Sequence, residues 1–444
     1  MSPSDSDRAG SDFRHALSRK NIRWVVTAAV LLEWALLTFA RGVPGRHLSP
    51  LFLLAASLLS GIALLALSRD YTLPAPALSR PSPKKFLLWL LPLLLLLIMA
   101  MRYHAVIHSV PLAMDDASRS DIIPQVMVLV QRFINGTFPY LPINIWGYTL
   151  NPTYLPLQWL PFVIPEWLGL DYRWMSFAVY FFAIFLLLRQ ARIYFRRDLH
   201  FMIFSLVPFL FSALYLFYDP VLFAVTIESL IAGYYLLFAL SLFSLRVLPA
   251  AGGLLLTLLS RFSIVLWTPF YFLALFFSPL QSRALRIAFI LLAGIIIIYV
   301  LPFLSQDSSI FLNGYRYHSL AALAEWTPRI ADAQPWHLYR GYGLALFFYE
   351  YVPGSLVHKL HLLQRIHLLM SLLAVVLPAF LFYRQRKHYD LRLFLIGSLK
   401  IYLAVFYAFI QIPYHYLYIV PAILTLPILL IVYLPLPRRM ADLV

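Results

Sequence analysis

The chain of 444 residues contains no cysteine, and only 12% of its residues are Asp, Glu, Lys or Arg. The lack of cysteine excludes disulfides, thiol nucleophiles and metal sites built on cysteine ligands. The scarcity of charge excludes an ordinary soluble domain, in which about a quarter of the residues are charged. Apolar side chains, in contrast, make up 62% of the chain. The composition therefore predicts a polytopic membrane protein.

The apolar residues form runs of about 20 residues along nearly the whole chain, which is the length that a spanning helix needs. A β-barrel would show weaker alternating segments of about ten residues. We therefore predict an all-α fold, a single polytopic transmembrane helical bundle over residues 1–444 with about twelve spans. The first run is longer than the apolar part of a signal peptide, so we expect it to be an uncleaved span. The predicted spans lie near 22–41, 51–67, 85–101, 172–188, 201–218, 222–245, 249–260, 262–278, 284–303, 364–383, 391–411 and 416–436.

The basic residues set the orientation, because Lys and Arg are enriched in cytoplasmic loops. The formal net charge is +16, which we interpret as topology markers and not as a nucleic-acid surface. With a cytoplasmic N-terminus, the dense basic clusters all fall inside, both termini are cytoplasmic, and loops near 102–171 and 304–363 face outwards. We expect a multi-pass protein of the bacterial inner (plasma) membrane. The clustered residues are Arg69, Arg80, Lys84, Lys85, Arg189, Arg192, Arg196, Arg197, Arg246, Arg283, Arg286, Arg384, Arg386, Lys387, Arg438 and Arg439.

The first outer loop concentrates the acidic residues near the membrane. Asp115 and Asp116 follow the third span, and Asp121 precedes an amphipathic, helix-like run that ends at Gly136. Each carboxylate either caps a helix and is solvated, or serves as a general base that takes a proton from a hydroxyl. The apolar stretch 152–168 holds four prolines, so we predict a short interfacial segment there and not a span.

Charged residues inside apolar runs need partners. Arg261 lies between the short seventh and eighth runs, which together could form one broken hairpin. It either binds a phosphate through its fork of donors or pairs with an acidic side chain such as Glu228. Glu33 and Lys400 lie within predicted spans and should face the bundle interior, where a transporter would use them as a coupling pair.

The second outer loop and the last hairpin mix aromatic and basic side chains. This pattern suits sugar stacking with phosphate contact, and it equally suits a membrane interface. The tyrosines that flank His415 favour an interfacial belt, which leaves His415 as the residue of interest there. No glycine-rich phosphate loop or metal-binding motif is present, so we predict no cofactor and no metal. The residues of the second loop are Arg316, Tyr317, His318, Trp326, Arg329, Trp336, His337 and Arg340.

The first loop resembles that of the GT-C superfamily of membrane glycosyltransferases. Asp121 is followed after fifteen residues by Gly136, then by Phe138-Pro139-Tyr140, and the segment Asn151–Pro156 stands where relatives carry a Pro-rich motif. Arg261 stands where bacterial polyprenyl-phosphate-mannose-dependent enzymes often have Lys before a Pro-containing helix. Asp121 is followed here by Ile-Ile-Pro-Gln, and not by the acidic or Tyr-containing pattern of the family. The choice between Asp121 and the pair Asp115 and Asp116 therefore stays open.

The resemblance implies transfer of a sugar from a polyprenyl-phosphate carrier to a glycan or lipid acceptor, with membrane lipids as further partners. It implies that the base is Asp121, Asp115 or Asp116, and that Arg261, His415 and Arg340 bind the donor phosphate. The implied substrate-binding residues are Tyr140, Asn151, Tyr154, Glu228, Arg316 and His318. The rival functions are a membrane transporter or lipid-linked sugar flippase, which would explain intramembrane charges, and a non-catalytic assembly subunit.

Overall fold

The computed structural model describes residues 19–74, 87–195, 197–328 and 334–437. The regular secondary structure of these residues is helical, apart from isolated bridge residues that include the antiparallel pair Ile143 and Leu150. The prediction of an all-α fold is therefore confirmed. Seven basic residues named above lie outside the described residues, namely Arg80, Lys84, Lys85, Arg196, Arg329, Arg438 and Arg439.

Eight helices of the described chain are long and apolar enough to cross a membrane. Each overlaps one of the predicted spans, so a multi-pass integral membrane protein is supported. The count of about twelve spans is not confirmed. The eight helices are Leu48–Asp70, Leu87–His108, Arg173–Tyr194, Asp198–Tyr218, Gln281–Leu304, Leu356–His388, Leu391–Ala408 and His415–Tyr433.

The other four predicted spans are shorter, interrupted or more polar. Helix Arg19–Leu37 carries Arg23 and Glu33. The sixth region is interrupted at Thr226, whose hydroxyl donates to Leu222 O and accepts from the Glu228 amide, so its side chain competes with the helical pattern. The remaining segments are Val221–Val225, Glu228–Ser241, Val247–Leu258, Phe262–Ile264 and Thr268–Phe276.

The two outer regions of the sequence contain short helices. In the first, Ile122–Ile134 forms the expected amphipathic helix, and the proline-rich stretch forms the turns Pro156–Trp159, Leu160–Phe162 and Val163–Trp167. None of these three turns is long enough to span a membrane. The second region contains Ile310–Trp326, Trp336–Arg340 and Ala345–Tyr351.

The helix that follows the second region begins eight residues before its predicted start. Ser355 caps it by accepting from the His358 amide, after Gly354 has turned the chain with φ +107°. The first turns contain His358, Lys359 and His361, which lower the local hydropathy. A capping signal therefore decides where this helix starts, and hydropathy alone places it too late.

The bundle has two distinct ends. At the loop end, Trp326 donates to Gln411 O, and Arg41 donates to Arg340 O. At the opposite end, which we call the basic end, Asp390 accepts from the Leu73 amide. Arg23, near the start of the first helix, donates to Val432 O near the end of the last one. The long helices therefore run between the same two ends.

The long helices differ greatly in the share of their residues that is buried inside the protein. The most apolar part of His415–Tyr433 is 89% buried and that of Leu391–Ala408 is 83% buried, whereas in Gln281–Leu304 only 22% is buried. The latter exposes Phe289 and Leu292 over most of their surface. Such apolar faces are stable against lipid and would be costly in water. The bundle therefore combines well-buried central helices, among them His415–Tyr433 and Leu391–Ala408, with lipid-facing ones.

Helices Leu48–Asp70 and Leu391–Ala408 approach closely at a pair of glycines. A Cβ added at Gly61 would lie 2.6 Å from Ile401 Cγ1, and one at Gly397 would lie 3.1 Å from Gly61 O. Small residues allow backbones to approach in membranes, where dispersion and hydrogen bonds hold helices together. This contact fixes the position of Lys400, one turn further along the same helix.

Candidate functional site at the loop end

The first loop is held in shape by one arginine. The Arg132 guanidinium donates to Pro139 O at 3.0 Å, to Pro142 O at 2.9 Å and to Leu141 O. Gly136 reverses the chain beyond helix Ile122–Ile134 with φ +70°, a conformation that favours glycine. The Gly and Pro residues noted in the sequence therefore build this compact turn.

Aromatic residues anchor the loop to the bundle. Trp159 Nε1 donates to Tyr140 Oη at 3.1 Å, and Tyr140 Oη donates to Tyr154 O at 2.9 Å. Phe303 packs against the rings of Tyr140 and Trp159 from the end of the long helix Gln281–Leu304. That end forms a π-helix around Pro302, which cannot donate a backbone hydrogen bond. The hydroxyl of Tyr140 is thus engaged in the protein's own structure.

Asp121 stands at the start of helix Ile122–Ile134, as the sequence predicts, but its side chain does not cap the helix. Its Oδ2 instead accepts from Tyr148 Oη at 3.1 Å. Burial raises the pKa of the Tyr148 phenol, and the neighbouring Asp121 charge raises it further. Tyr148 therefore remains a neutral donor that orients the Asp121 carboxylate.

Asp115 and Asp116 are both exposed. Asp116 Oδ1 accepts from the Ser118 amide at 2.8 Å, and the Ser118 hydrogen bonds lower the pKa of Asp116. Among the described residues, neither carboxylate forms a hydrogen bond or ion pair with Asp121, Tyr148 or Arg261. Asp115 and Asp116 are therefore typical of carboxylates in a solvated turn.

Arg261 forms an ion pair with Glu228, the pairing that the sequence offered as an alternative to phosphate binding. Glu228 begins helix Glu228–Ser241, and Arg261 follows helix Val247–Leu258, so the two short helices bring both residues to the loop end. Glu228 is buried, whereas 26% of the Arg261 side chain is exposed.

This ion pair leaves bonding capacity unused. Arg261 Nε and Glu228 Oε2 are buried, and no described group hydrogen-bonds to either atom. Most buried polar atoms have a hydrogen-bond partner, so two such atoms on adjacent side chains require an explanation. One donor and one acceptor of the ion pair therefore have no partner among the described residues.

Aromatic side chains lie near both the Asp121 carboxylate and this ion pair. Tyr154 and Tyr416 both lie within the electrostatic reach of Asp121 and of Arg261. Burial raises the pKa of Tyr154, and burial together with the Arg261 charge lowers the pKa of His318. Both side chains nevertheless keep solvent-accessible surface.

We call this group of neighbouring side chains the tyrosine recess. It combines a carboxylate, an ion pair with one unpartnered donor and one unpartnered acceptor, and several tyrosines. Its residues are Asp121, Tyr148, Tyr154, Glu228, Arg261, Tyr317, His318 and Tyr416.

The remaining predicted site residues are engaged elsewhere or exposed. His415 Nε2 lies 3.1 Å from Asp219 Oδ2. The Arg340 guanidinium stacks 3.2 Å from the centre of the Trp336 ring. Asn151 and Arg316 are exposed, and no described contact links them to Asp121 or Arg261.

Sequence reasoning missed Tyr148, and it assigned Tyr416 to an interfacial belt. Tyr148 is 27 positions from Asp121, a spacing that carries no regular periodicity. Only its place in a loop with Gly147 and several aromatic residues could have singled it out.

Among the described residues, no group of three or more His, Asp or Glu side chains could hold a metal ion.

Comparisons of this chain with protein family models, with curated proteins and with solved structures gave no match. No relative therefore supplies a role for any residue, and the roles proposed below rest on geometry and chemistry.

Proposed function

We propose that this protein is a membrane glycosyltransferase of the GT-C kind. It transfers a sugar, mannose or another hexose, from a polyprenyl-phosphate carrier to a hydroxyl of a glycan or lipid acceptor on the extracytoplasmic face. The observation that carries the proposal is the tyrosine recess, in which the charges of Asp121 and Arg261 both act on Tyr154 and Tyr416. A base and a phosphate-binding cation that are close to the same tyrosines suit displacement at an anomeric carbon.

The chemistry assigns one task to each side of the recess. The Asp121 carboxylate takes the proton of the acceptor hydroxyl as the oxygen attacks the anomeric carbon. The bond from that carbon to the phosphate oxygen breaks on the opposite face, which inverts the configuration. The departing lipid phosphate keeps the electron pair, and Arg261 stabilises its charge. The atoms and charges of this step balance without a nucleotide or a metal.

Two details of the ion pair fit the donor. Arg261 Nε can donate to a phosphate oxygen, and Glu228 Oε2 can accept from a sugar hydroxyl. The contact with Glu228 holds the guanidinium in place before the donor binds. Such preorganisation lowers the cost of arranging charged groups during the reaction.

The contacts at the two ends of the bundle support a topology of twelve crossings with both termini at the basic end. We propose that the basic end faces the cytoplasm of a bacterial cell, because Arg283, Arg384, Arg386 and Lys387 cluster there. The native chain has no cysteine, so single cysteines can be labelled with an impermeant reagent. Ser118→Cys should be labelled from outside intact cells, and His388→Cys should be labelled only after lysis. The reverse pattern would contradict this orientation.

A transporter or flippase is the second candidate, because Glu33 and Lys400 form a buried ion pair within the bundle. That pair is saturated by Ser57 and the Pro421 carbonyl, and the adjoining cavity measures only about 10 Å³. A cavity of that size holds about one water molecule. Movement of labelled lipid-linked sugar across vesicles without its consumption would favour this candidate.

The test of the transferase uses purified protein, a polyprenyl-phosphate sugar and a candidate acceptor. Asp121→Asn should reduce turnover by a factor of about 10² to 10⁴, the usual effect of losing a general base. Asn retains the size of Asp and can accept from Tyr148, so folding should be preserved. Asp115→Asn and Asp116→Asn are matched controls from the same loop and should stay active.

The outcomes of this assay separate the possible roles. If Asp121→Asn keeps nearly full turnover while either control abolishes it, the base belongs to the pair Asp115 and Asp116. If the native protein consumes no lipid-linked sugar with any acceptor, the proposal fails, and a non-catalytic subunit or a transporter takes its place.

A further inference from the structure

A concavity lies at the basic end, far along the bundle from the tyrosine recess. It is an open cavity of about 820 Å³ between the turn at Leu245, the start of helix Gln281–Leu304 and the turn that precedes Leu391. Four cationic side chains and one carboxylate line it: Arg283, Arg386, Lys387, Arg392 and Asp390. The volume is in the range of sites that hold small organic ligands.

The single carboxylate is already neutralised. Asp390 Oδ2 accepts from Arg392 Nη2 at 2.9 Å and from the Leu73 amide at 3.0 Å, and Asp390 Oδ1 caps the helix that starts at Leu391. No carboxylate of the described chain lies within ion-pair distance of Arg283, Arg386 or Lys387. The cavity therefore holds three uncompensated cations.

The two arginines among these cations are held loosely by the protein itself. Arg283 makes only a long contact of 3.4 Å with Leu245 O, and the Arg386 guanidinium lies 5.6 Å from the centre of the Phe277 ring. Their donors are thus available to an anion with several oxygen acceptors. Phosphate is the common anion that Arg and Lys bind in this way.

The walls of the cavity point to a lipid as the source of the phosphate. Phe277 lines the cavity and is 43% exposed, and its ring packs 5.3 Å from that of Tyr383 on the outer surface of the bundle. Leu273 and Phe380, on the same two helices, are also exposed. The cavity is therefore continuous with an apolar surface suited to acyl chains.

We propose that this cavity binds the phosphate-bearing headgroup of an anionic membrane lipid, with the acyl chains lying along the surface at Phe277 and Tyr383. Basic pockets between helices on the cytoplasmic side are suited to such headgroups, because anionic lipids are enriched in that leaflet. The inference concerns a site separate from the tyrosine recess and does not depend on sugar transfer.

The experiment uses the full chain in a neutral detergent and follows its thermal unfolding as phosphatidylglycerol is added. A ligand that binds the native state raises the unfolding midpoint. Phosphatidylglycerol should raise it at lower concentrations than phosphatidylcholine, and inorganic phosphate should have little effect.

Arg283→Gln is compared with Arg286→Gln, which removes the same charge one turn further along the same helix. Arg286 is exposed, does not line the cavity and donates to Ser282 O. Arg283→Gln should increase the phosphatidylglycerol concentration needed for half the shift about fivefold, and Arg286→Gln should leave it nearly unchanged. Adding Arg386→Gln and Lys387→Gln should bring the total increase to about a hundredfold.

Each contrary outcome would overturn the proposal. Equal effects of Arg283→Gln and Arg286→Gln would indicate diffuse attraction to the basic end. Equal effects of the two lipids would exclude recognition of the anionic charge. Stabilisation by inorganic phosphate at the same concentrations would identify a free phosphate site and not a lipid site. The single substitutions keep the test valid if the triple variant fails to fold.

Discussion

Two ion pairs within this bundle differ in how completely the protein satisfies them. Lys400 is fully buried, and its Nζ donates to both oxygens of Glu33, at 2.7 and 2.9 Å, and to Pro421 O at 2.8 Å. All three donors of the ammonium group are therefore used. Arg261 and Glu228 form a single contact, and each retains a buried polar atom without a partner.

This difference in hydrogen bonding indicates that the two ion pairs have different roles. A saturated pair in a sealed interior fixes the register of helices and offers nothing to a ligand. An unsaturated pair next to a recess retains capacity that a substrate can use. The same chain thus contains a structural ion pair between Leu391–Ala408 and Arg19–Leu37, and a candidate functional one at the loop end.

The largest expected effect is on stability, from Lys400→Met. This change leaves the Glu33 carboxylate buried without its cation, which should lower the free energy of unfolding by about 3–5 kcal/mol. The double variant Glu33→Leu with Lys400→Met removes both charges and should recover most of the loss. Denaturant unfolding in detergent measures both effects. A double variant as unstable as the single one would show that the pair itself stabilises the bundle.

A smaller effect, on donor binding, should follow from Arg261→Gln. Charge-assisted hydrogen bonds contribute about 1.5–3 kcal/mol, so the KM for the lipid-linked sugar should rise roughly tenfold to a hundredfold. Gln retains a donor for Glu228, so the protein should lose less stability than in Lys400→Met. Arg261→Lys keeps the charge without the fork and should restore part of the binding. Unchanged donor kinetics in the Gln variant would make this pair structural as well.

Sequence reasoning succeeded where a local pattern carries the information. The helix after Asp121, the break around Arg261 and the short turns of the proline-rich stretch all follow from apolar periodicity, proline and hydropathy. The need for Glu33 and Lys400 to face the interior follows from the cost of charge in a membrane. These features depend on residues that are close in the sequence.

The pairing of these charges could not be predicted, because it depends on packing between distant segments. Glu33 and Lys400 are 367 positions apart. Their meeting depends on how three helices pack, including the close approach of Leu48–Asp70 and Leu391–Ala408 at Gly61 and Gly397. Tyr148 reaches Asp121 through the shape of a loop that Arg132 holds. Hydropathy also predicted the sixth span as one continuous helix, because it does not register the interruption at Thr226.

The smallest expected effect is a shift in the titration of His318, which reports on the charge of Arg261. Burial and that charge lower the pKa of His318 below its ordinary value of 6.5. Below about pH 6.5, the unfolded state therefore binds more protons at His318 than the native state does. The free energy of unfolding accordingly falls as the pH is lowered through this range. At neutral pH His318 is uncharged in both states and makes no such contribution. In Arg261→Gln one of the two causes is removed, and the pKa of His318 should rise towards its ordinary value. In Lys400→Met it should stay the same, because Lys400 does not act on His318. NMR titration of labelled histidine measures both variants, with His318→Gln assigning the signal. An equal shift in the two variants would mean that the two ion pairs are not independent, and the contrast between them would fail.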